Sequence, residues 1–309
     1  MKRRSATGRI LAPVVAATVA LLLLAGCGVP VPGTNAGDGR LRVVAAENVW
    51  GQIASELGGE RVDVTSIVAN PNTDPHEYEP TVADARAIAD ADLLVLNGVG
   101  YDPWVSRLAA ASPDASRAVV DAGKLAGVPA GGNPHLWYSP DTVHAVAARI
   151  ASEYERLDPA GARYYAARLR EFEDVTLAGY DALVAQVRGR YAGTPVGASE
   201  SIVVPLARAL GLRVLTPESF TDAVSEGTDP TASAKSEADA QVRTGAVKVF
   251  IYNAQNATPD VATLVAAART RGIPVVTVSE TIPAGETFAG WQTAQLDSIA
   301  AALKEAVGR

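Results

Sequence analysis

From residue 41 onward, short apolar runs alternate with longer segments whose apolar residues recur at three-and-four spacing. The runs are LRVVAA (41–46), VDVTSIV (62–68), ADLLVLNG (91–98) and RAVVDA (117–122), then TPVGAS (194–199), LRVLTP (212–217), VKVFIYN (247–253) and IPVVTVS (273–279). Their length and their content of Val, Ile and Leu predict strands. The stretches between them, such as NVWGQIASELGG, PTVADARAIADA, IVVPLARALG and PDVATLVAAARTRG, read as helices. Strand-helix alternation of this kind predicts α/β architecture with mainly parallel sheets flanked by helices. The two halves repeat the same style, which predicts two lobes, at 41–158 and 191–309.

Between the halves lies the longest helical pattern, 159–190, with Tyr164, Leu169, Phe172, Leu177, Tyr180, Leu183 and Val187 on its apolar stripe. A helix of that length spans on the order of 45 Å, enough to join two lobes as one rigid rod. Gly179 is the position in it where a bend is expected. A ligand site is expected in the cleft between the lobes, because open parallel sheets bind ligands beyond the carboxyl ends of their strands.

The first 26 residues add an address. MKRRSATGR is basic with no acid, and LAPVVAATVALLLLAG is an apolar run ending in small residues, the form of an export signal. It ends in Leu24-Ala25-Gly26-Cys27, which resembles the bacterial lipobox. That resemblance implies a lipid on Cys27 and a mature chain anchored on the extracytoplasmic face of the cell membrane. Residues 27–40, rich in Gly and Pro, read as a flexible tether. Cys27 is the only cysteine, so no disulfide supports the fold. Without residues 1–26, which hold four basic residues and no acid, 23 basic residues face 34 acidic ones, a formal charge of −11. That balance argues against nucleic acid and for a cation as ligand.

The chain has three histidines, and two are set as Pro-His-x-aromatic, in DPHEYEP and NPHLWYSP. Proline before each histidine stiffens the loop that carries it, which lowers the entropy cost of coordination. His76 follows the second predicted strand and His135 the last strand of the first lobe; Glu200 and Glu280 end TPVGASE and IPVVTVSE in the second. Two neutral imidazoles and two carboxylates balance a dication, so these four are the candidate metal ligands. His144 lies within a helical pattern and reads as a helix-face residue. Glu226 and Asp229 sit in a polar stretch expected to be a loop leading into a capped helix, and Trp104 is expected to pack inward. No GxSxG, HExxH, GxxxxGK[ST] or strand-borne GxGxxG motif is present, which removes the commonest hydrolase and nucleotide-binding readings.

The phrase NPNTDPHEYEPTVADARAIADADLLVLNGVGYDPWVSRL, together with NPHLWYSPDTV, resembles the cluster A-I solute-binding lipoproteins of manganese, iron and zinc ABC transporters. The resemblance extends more weakly over 41–309. It implies a long backbone helix between lobes and a four-ligand site, two histidines from the first lobe and two ligands from the second. By matching motifs, His76 and His135 fill the first two places and Glu200 the third, where manganese- and iron-type members carry Glu and zinc-type members His. Glu280 stands where the family usually has Asp, one methylene longer. The aromatic pair that often follows the third ligand is replaced by Ile202, Val203, Val204 and Pro205, and the His-rich acidic loop of many zinc-type members is missing.

The resemblance thus implies a lipid-anchored binding protein, expected to be a monomer, that captures one divalent ion and delivers it to an ABC permease, with no covalent chemistry. Mixed nitrogen and oxygen ligands lean toward Mn²⁺ or Fe²⁺, while Zn²⁺ also fits such a set and binds most such sites more tightly. The alternatives are a receptor for a metal chelate or other small solute, which calls for more aromatic or Arg side chains near these loops, and a metal-dependent hydrolase. The hydrolase requires an open coordination position with water and a nearby base.

Overall fold

A computed structural model describes residues 39–70 and 78–308. The first half contains β1 (Leu41–Glu47), α1 (Asn48–Gly58), β2 (Val62–Val68), α2 (Val82–Asp90), β3 (Leu93–Leu96), α3 (Pro103–Ala111), β4 (Ala118–Asp121), α4 (Ala122–Ala126) and α5 (Pro140–Leu157). A connecting helix follows as α6 (Ala162–Glu171), a π turn (Phe172–Thr176) and α7 (Ala178–Tyr191). The second half contains β5 (Pro195–Ala198), α8 (Val204–Ala209), β6 (Arg213–Val214), α9 (Glu218–Ser225), α10 (Ala232–Arg243), β7 (Val249–Asn253), α11 (Pro259–Thr270), β8 (Val275–Val278) and α12 (Phe288–Val307).

Each of the eight predicted apolar runs contains a strand. They form two four-stranded sheets, ordered β2-β1-β3-β4 and β6-β5-β7-β8, with every pairing parallel. The strand order reverses direction between β1 and β3 in one sheet and between β5 and β7 in the other. Those crevices, at the carboxyl ends of the strands, are where doubly wound sheets hold ligands.

Local chemistry explains the helix starts. Thr81 and Asp84 form a reciprocal capping box at α2, and Ser139 and Thr258 cap α5 and α11 just ahead of a proline at the first helical position. One apolar core runs through both halves, from Val43 and Trp50 through Trp137, Tyr154, Phe172 and Tyr180 to Val249, Phe288 and Leu303. Smaller clusters cover the outer faces, around Ile88 and Trp104 on one side and around Phe220 and Phe250 on the other. From Arg40 onward the described residues form one compact unit.

The connecting helix departs from the even pattern read over 159–190. A short 3-10 turn occupies Pro159–Gly161, and the irregularity falls at Phe172–Thr176, ahead of Gly179. There the Leu177 N–H donates to the Phe172 carbonyl at 2.9 Å, the wider spacing of a π turn. Thr176, at the end of that turn, donates to the Glu56 carboxylate at 2.9 Å, and the Arg168 guanidinium donates to the Glu56 carbonyl, docking the helix on α1. Strand β6 keeps only two residues of its predicted run, being an edge strand with Pro217, which has no N–H to pair, three residues beyond its end. The stretch expected to be a loop before a capped helix contains a helix of its own, α9, ahead of the Thr231-capped α10.

Candidate metal centre

Of the four predicted ligands, three are described and buried: His135, Glu200 and Glu280. His76 lies outside the described residues, as does Cys27. His135 follows the Gly-rich turn after α4, and Glu200 and Glu280 each lie two residues beyond a strand, β5 and β8. His135 Nε2 and Glu280 Oε1 stand 3.4 Å apart, so loops from the two sheets meet at a pair of donor atoms. Glu200 lies within electrostatic reach of both. Among the described residues, no three His, Cys, Asp or Glu side chains meet as one ion-sized cluster.

The tautomer of His135 follows from its neighbours. Asn133 Nδ2 donates to the Ser201 carbonyl at 2.7 Å, which turns Asn133 Oδ1 toward His135 as an acceptor. That oxygen lies 3.0 Å from both the His135 backbone N and its Nδ1. Nδ1 therefore carries the ring proton, and Nε2 presents its lone pair toward Glu280, the arrangement a metal-ligating histidine needs.

Both carboxylates are held by neutral donors. The Tyr101 hydroxyl, from the loop after β3, donates to Glu280 Oε1 at 2.8 Å. Asn253 Nδ2 donates to Glu200 Oε1 at 2.5 Å and Asn256 Nδ2 to Glu200 Oε2 at 2.9 Å. Burial pushes the Glu200 pKa above the ordinary carboxylate value, while these two amide bonds favour the ionised form.

The loop carrying Tyr101 is tightly wound. Gly98, Val99 and Gly100 have φ of 75°, 60° and 95°, and Val99 is the only non-glycine in the left-handed region among the described residues. A β-branched residue there is strained, and surrounding contacts must hold it. Asp102 supplies two of them, accepting the Asn97 N–H at 2.7 Å and the Gly98 N–H at 2.8 Å. Asn97 in turn donates from its side chain to the Pro134 carbonyl at 2.8 Å and accepts from Trp50 Nε1 at 3.2 Å. The β3 loop therefore fixes both Tyr101 and the entry of the chain into His135.

A fourth buried acid adjoins this network. Glu47, the last residue of β1, is hydrogen-bonded to Asp102. Burial, and then the charge of Asp102, push the Glu47 pKa well up. Burial also raises Asp102, to about 6, against the pull of its two backbone N–H partners. Sequence reasoning named neither acid nor the asparagines, although the strand-end rule that selected Glu200 and Glu280 would have selected Glu47 and Asn253 as well.

The remaining sequence candidates lie elsewhere. His144, on α5, is one-third exposed and pairs with Asp181 of α7 at 3.0 Å. Glu226 and Asp229 are exposed, and Trp104 is buried as expected.

Residues 43–302 match the family described as zinc-uptake complex component A, periplasmic (ZnuA). The chain belongs to the ZnuA family. Among relatives of this ZnuA-family chain, the manganese-binding lipoprotein MntA of Halalkalibacterium halodurans is 32% identical over 158 residues, 50% of this chain and 52% of that one. The manganese ABC transporter substrate-binding lipoprotein PsaA of Streptococcus pneumoniae serotype 4 is 30% identical over 166 residues, 50% of this chain and 53% of that one. The chain thus spans about half the length of the curated relatives it matches.

Solved structures share the fold over more of the chain. The substrate-binding protein FpvC of Pseudomonas aeruginosa in complex with Mn²⁺ superposes with a TM-score of 0.69 at 25% identity, covering 86% of this chain and 99% of that one. A Mn-bound periplasmic metal-binding protein from candidatus liberibacter asiaticus gives 0.70 at 19% identity, covering 85% and 100%.

Proposed function

We propose that this chain is an extracytoplasmic, lipid-anchored substrate-binding protein that captures one divalent transition metal ion and hands it to an ABC permease. The observation that carries the reading is the buried meeting of His135 Nε2 and Glu280 Oε1, 3.4 Å apart on loops from two different sheets. Glu200 faces the same region from the crevice between β5 and β7, and His76 completes the set as the ligand from the loop after β2. Cys27 carries the anchor.

The protein's own contribution is preorganisation. Asn133 fixes the tautomer that puts a lone pair on His135 Nε2, and Tyr101 orients Glu280. Asn253 and Asn256 favour the charged form of Glu200 against the cost of its burial. Two neutral imidazoles and two carboxylates neutralise the cargo ion in a region from which water is largely excluded. Burial disfavours a further negative charge on Glu47 beside this set. Nitrogen and oxygen donors with Glu in the third position favour Mn²⁺ or Fe²⁺ as the physiological cargo, and Zn²⁺ is the competitor that the donor chemistry also accepts. The family relationship supports delivery to a permease and binding in place of catalysis.

Calorimetric titration of metal-free protein with Mn²⁺ tests this reading. One site per chain is expected, with binding abolished in His135→Ala, and weaker binding as pH falls because the carboxylates must lose protons to coordinate. Unchanged affinity in His135→Ala would overturn it.

A further inference from the structure

The four residues that close β7, Asn253-Ala254-Gln255-Asn256, touch both acidic ligands of the second lobe at once. Asn253 and Asn256 each donate to a different oxygen of Glu200, at 2.5 Å and 2.9 Å. Gln255 Oε1 accepts the backbone N–H of Glu280 at 2.5 Å and of Thr281 at 3.3 Å, and its Nε2 donates to Thr281 Oγ1 at 3.0 Å.

Further contacts fix the amide orientations. Asn253 Oδ1 accepts the Gln255 N–H at 3.0 Å, so its NH₂ must face Glu200. Asn256 Nδ2 also donates to the Val224 carbonyl at 2.7 Å, so its NH₂ too is on the Glu200 side. The Asn253 backbone N–H donates to Ser199 Oγ at 3.0 Å, tying the loop to the strand end that carries Glu200.

A carboxylate with one donor on each oxygen cannot pivot freely about its terminal torsion. It offers one remaining lone-pair direction per oxygen, with both oxygens held in place. Zn²⁺ in a four-ligand site takes short, tetrahedral bonds, which call for one carboxylate oxygen to be drawn in at the expense of the other. Manganese suits oxygen donors in a larger, six-fold arrangement and accepts a carboxylate through either or both oxygens.

We infer that the Asn253–Asn256 loop is a specificity-determining element, which holds Glu200 in a fixed two-oxygen presentation and thereby favours a larger oxygen-preferring dication over Zn²⁺. Asn253, Gln255 and Asn256 are positioning residues, and the inference rests on the reading of Glu200 as a ligand.

The test measures Mn²⁺ and Zn²⁺ affinities of wild type, Asn253→Ala, Asn256→Ala, Asn256→Gln and Glu200→Gln by competition with a chromogenic chelator. Circular dichroism and thermal melting confirm that each variant is folded. Removal of an outer partner of a metal ligand typically lowers affinity about 10- to 100-fold. The expected result is a loss of that size for Mn²⁺ in the two alanine variants and a loss under about threefold for Zn²⁺, with partial recovery of Mn²⁺ binding in Asn256→Gln. Asn256 is only partly buried, so Asn256→Ala serves alone where Asn253→Ala does not fold. Equal losses for both metals would reduce the loop to a structural support, and unchanged affinities would remove it from the site; either overturns the inference. Full binding of both metals by Glu200→Gln would overturn the ligand assignment and the inference with it, whereas loss of binding in Glu200→Gln with unaltered alanine variants would overturn the inference alone.

Discussion

At the scale of single residues, Glu280 shows what one methylene does. Its extra length relative to Asp lets a carboxylate rooted beyond β8 reach the first lobe, where it meets the Tyr101 hydroxyl at 2.8 Å and His135 Nε2 at 3.4 Å. Glu280→Asp should lose the Tyr101 bond, and Tyr101→Phe should lose it with the carboxylate left in place. A hydrogen bond to a charged group contributes about 1.5–3 kcal/mol, so both variants should weaken Mn²⁺ binding by roughly 10- to 100-fold in calorimetric titration. Unaltered affinity in Tyr101→Phe would show that the hydroxyl does not orient the ligand.

Glu47 and Asp102 make a pH prediction at the same scale. Asp102 has its folded-state pKa raised to about 6 from an ordinary 3.8, and burial raises Glu47 well above its ordinary value too. The folded protein thus holds protons that the unfolded chain has released, and stability must fall as pH rises through that window. For Asp102 the loss is on the order of 3 kcal/mol between about pH 4 and pH 6. Glu47→Gln keeps a donor toward Asp102 and cannot ionise, so the melting temperature of its metal-free form should decline less between pH 5 and pH 8 than that of wild type. Parallel declines would contradict a Glu47 pKa raised by burial.

Among the elements, the strands were the most legible. Parallel strands buried on both faces read as unbroken apolar runs, as β3 (Leu93–Leu96) does within 91–98, and the edge strand β2 spans the residues its run marked, 62–68. The connecting helix was legible as a stripe of apolar residues, but its π turn was not, because one extra residue at Phe172–Thr176 leaves that stripe almost unchanged. The histidines and glutamates stood out by chemistry and by position after strands. Their supporting residues did not, since Asn97, Asn133, Asn253 and Asn256 look like ordinary turn formers until tertiary contacts give each a partner.

Asn97 links two of these elements. It ends the β3 run, receives Trp50 from α1 and donates to the Pro134 carbonyl ahead of His135. Asn97→Ala should leave the buried Trp50 indole N–H without its Asn97 acceptor and the Pro134 carbonyl without this donor, costing about 1–3 kcal/mol. Denaturant unfolding of the metal-free protein should register that loss together with weaker metal binding, and full stability would show that the link is dispensable.

At the scale of the whole molecule, the two sheets share one continuous core instead of meeting across a solvent-filled hinge. Ties outside the centre reinforce this. The α1 side chains Asn48 and Gln52 donate to the Ile282 and Glu286 carbonyls at 3.1 Å and 3.0 Å, and the Tyr138 hydroxyl donates to the Ser279 carbonyl at 2.7 Å. Under the proposed function, ion capture in such a molecule falls to the short loops at the carboxyl ends of its strands, with the connecting helix docked on α1.

In the proposed function those loops converge on one ion. Crystals of the protein grown with Mn²⁺ and measured at the manganese absorption edge locate the ion directly. One anomalous peak per chain is expected, bonded to His135 Nε2 and to the Glu200 and Glu280 carboxylates, with His76 completing the set. A peak away from His135 and Glu280, or none in crystals that contain the metal, would contradict it.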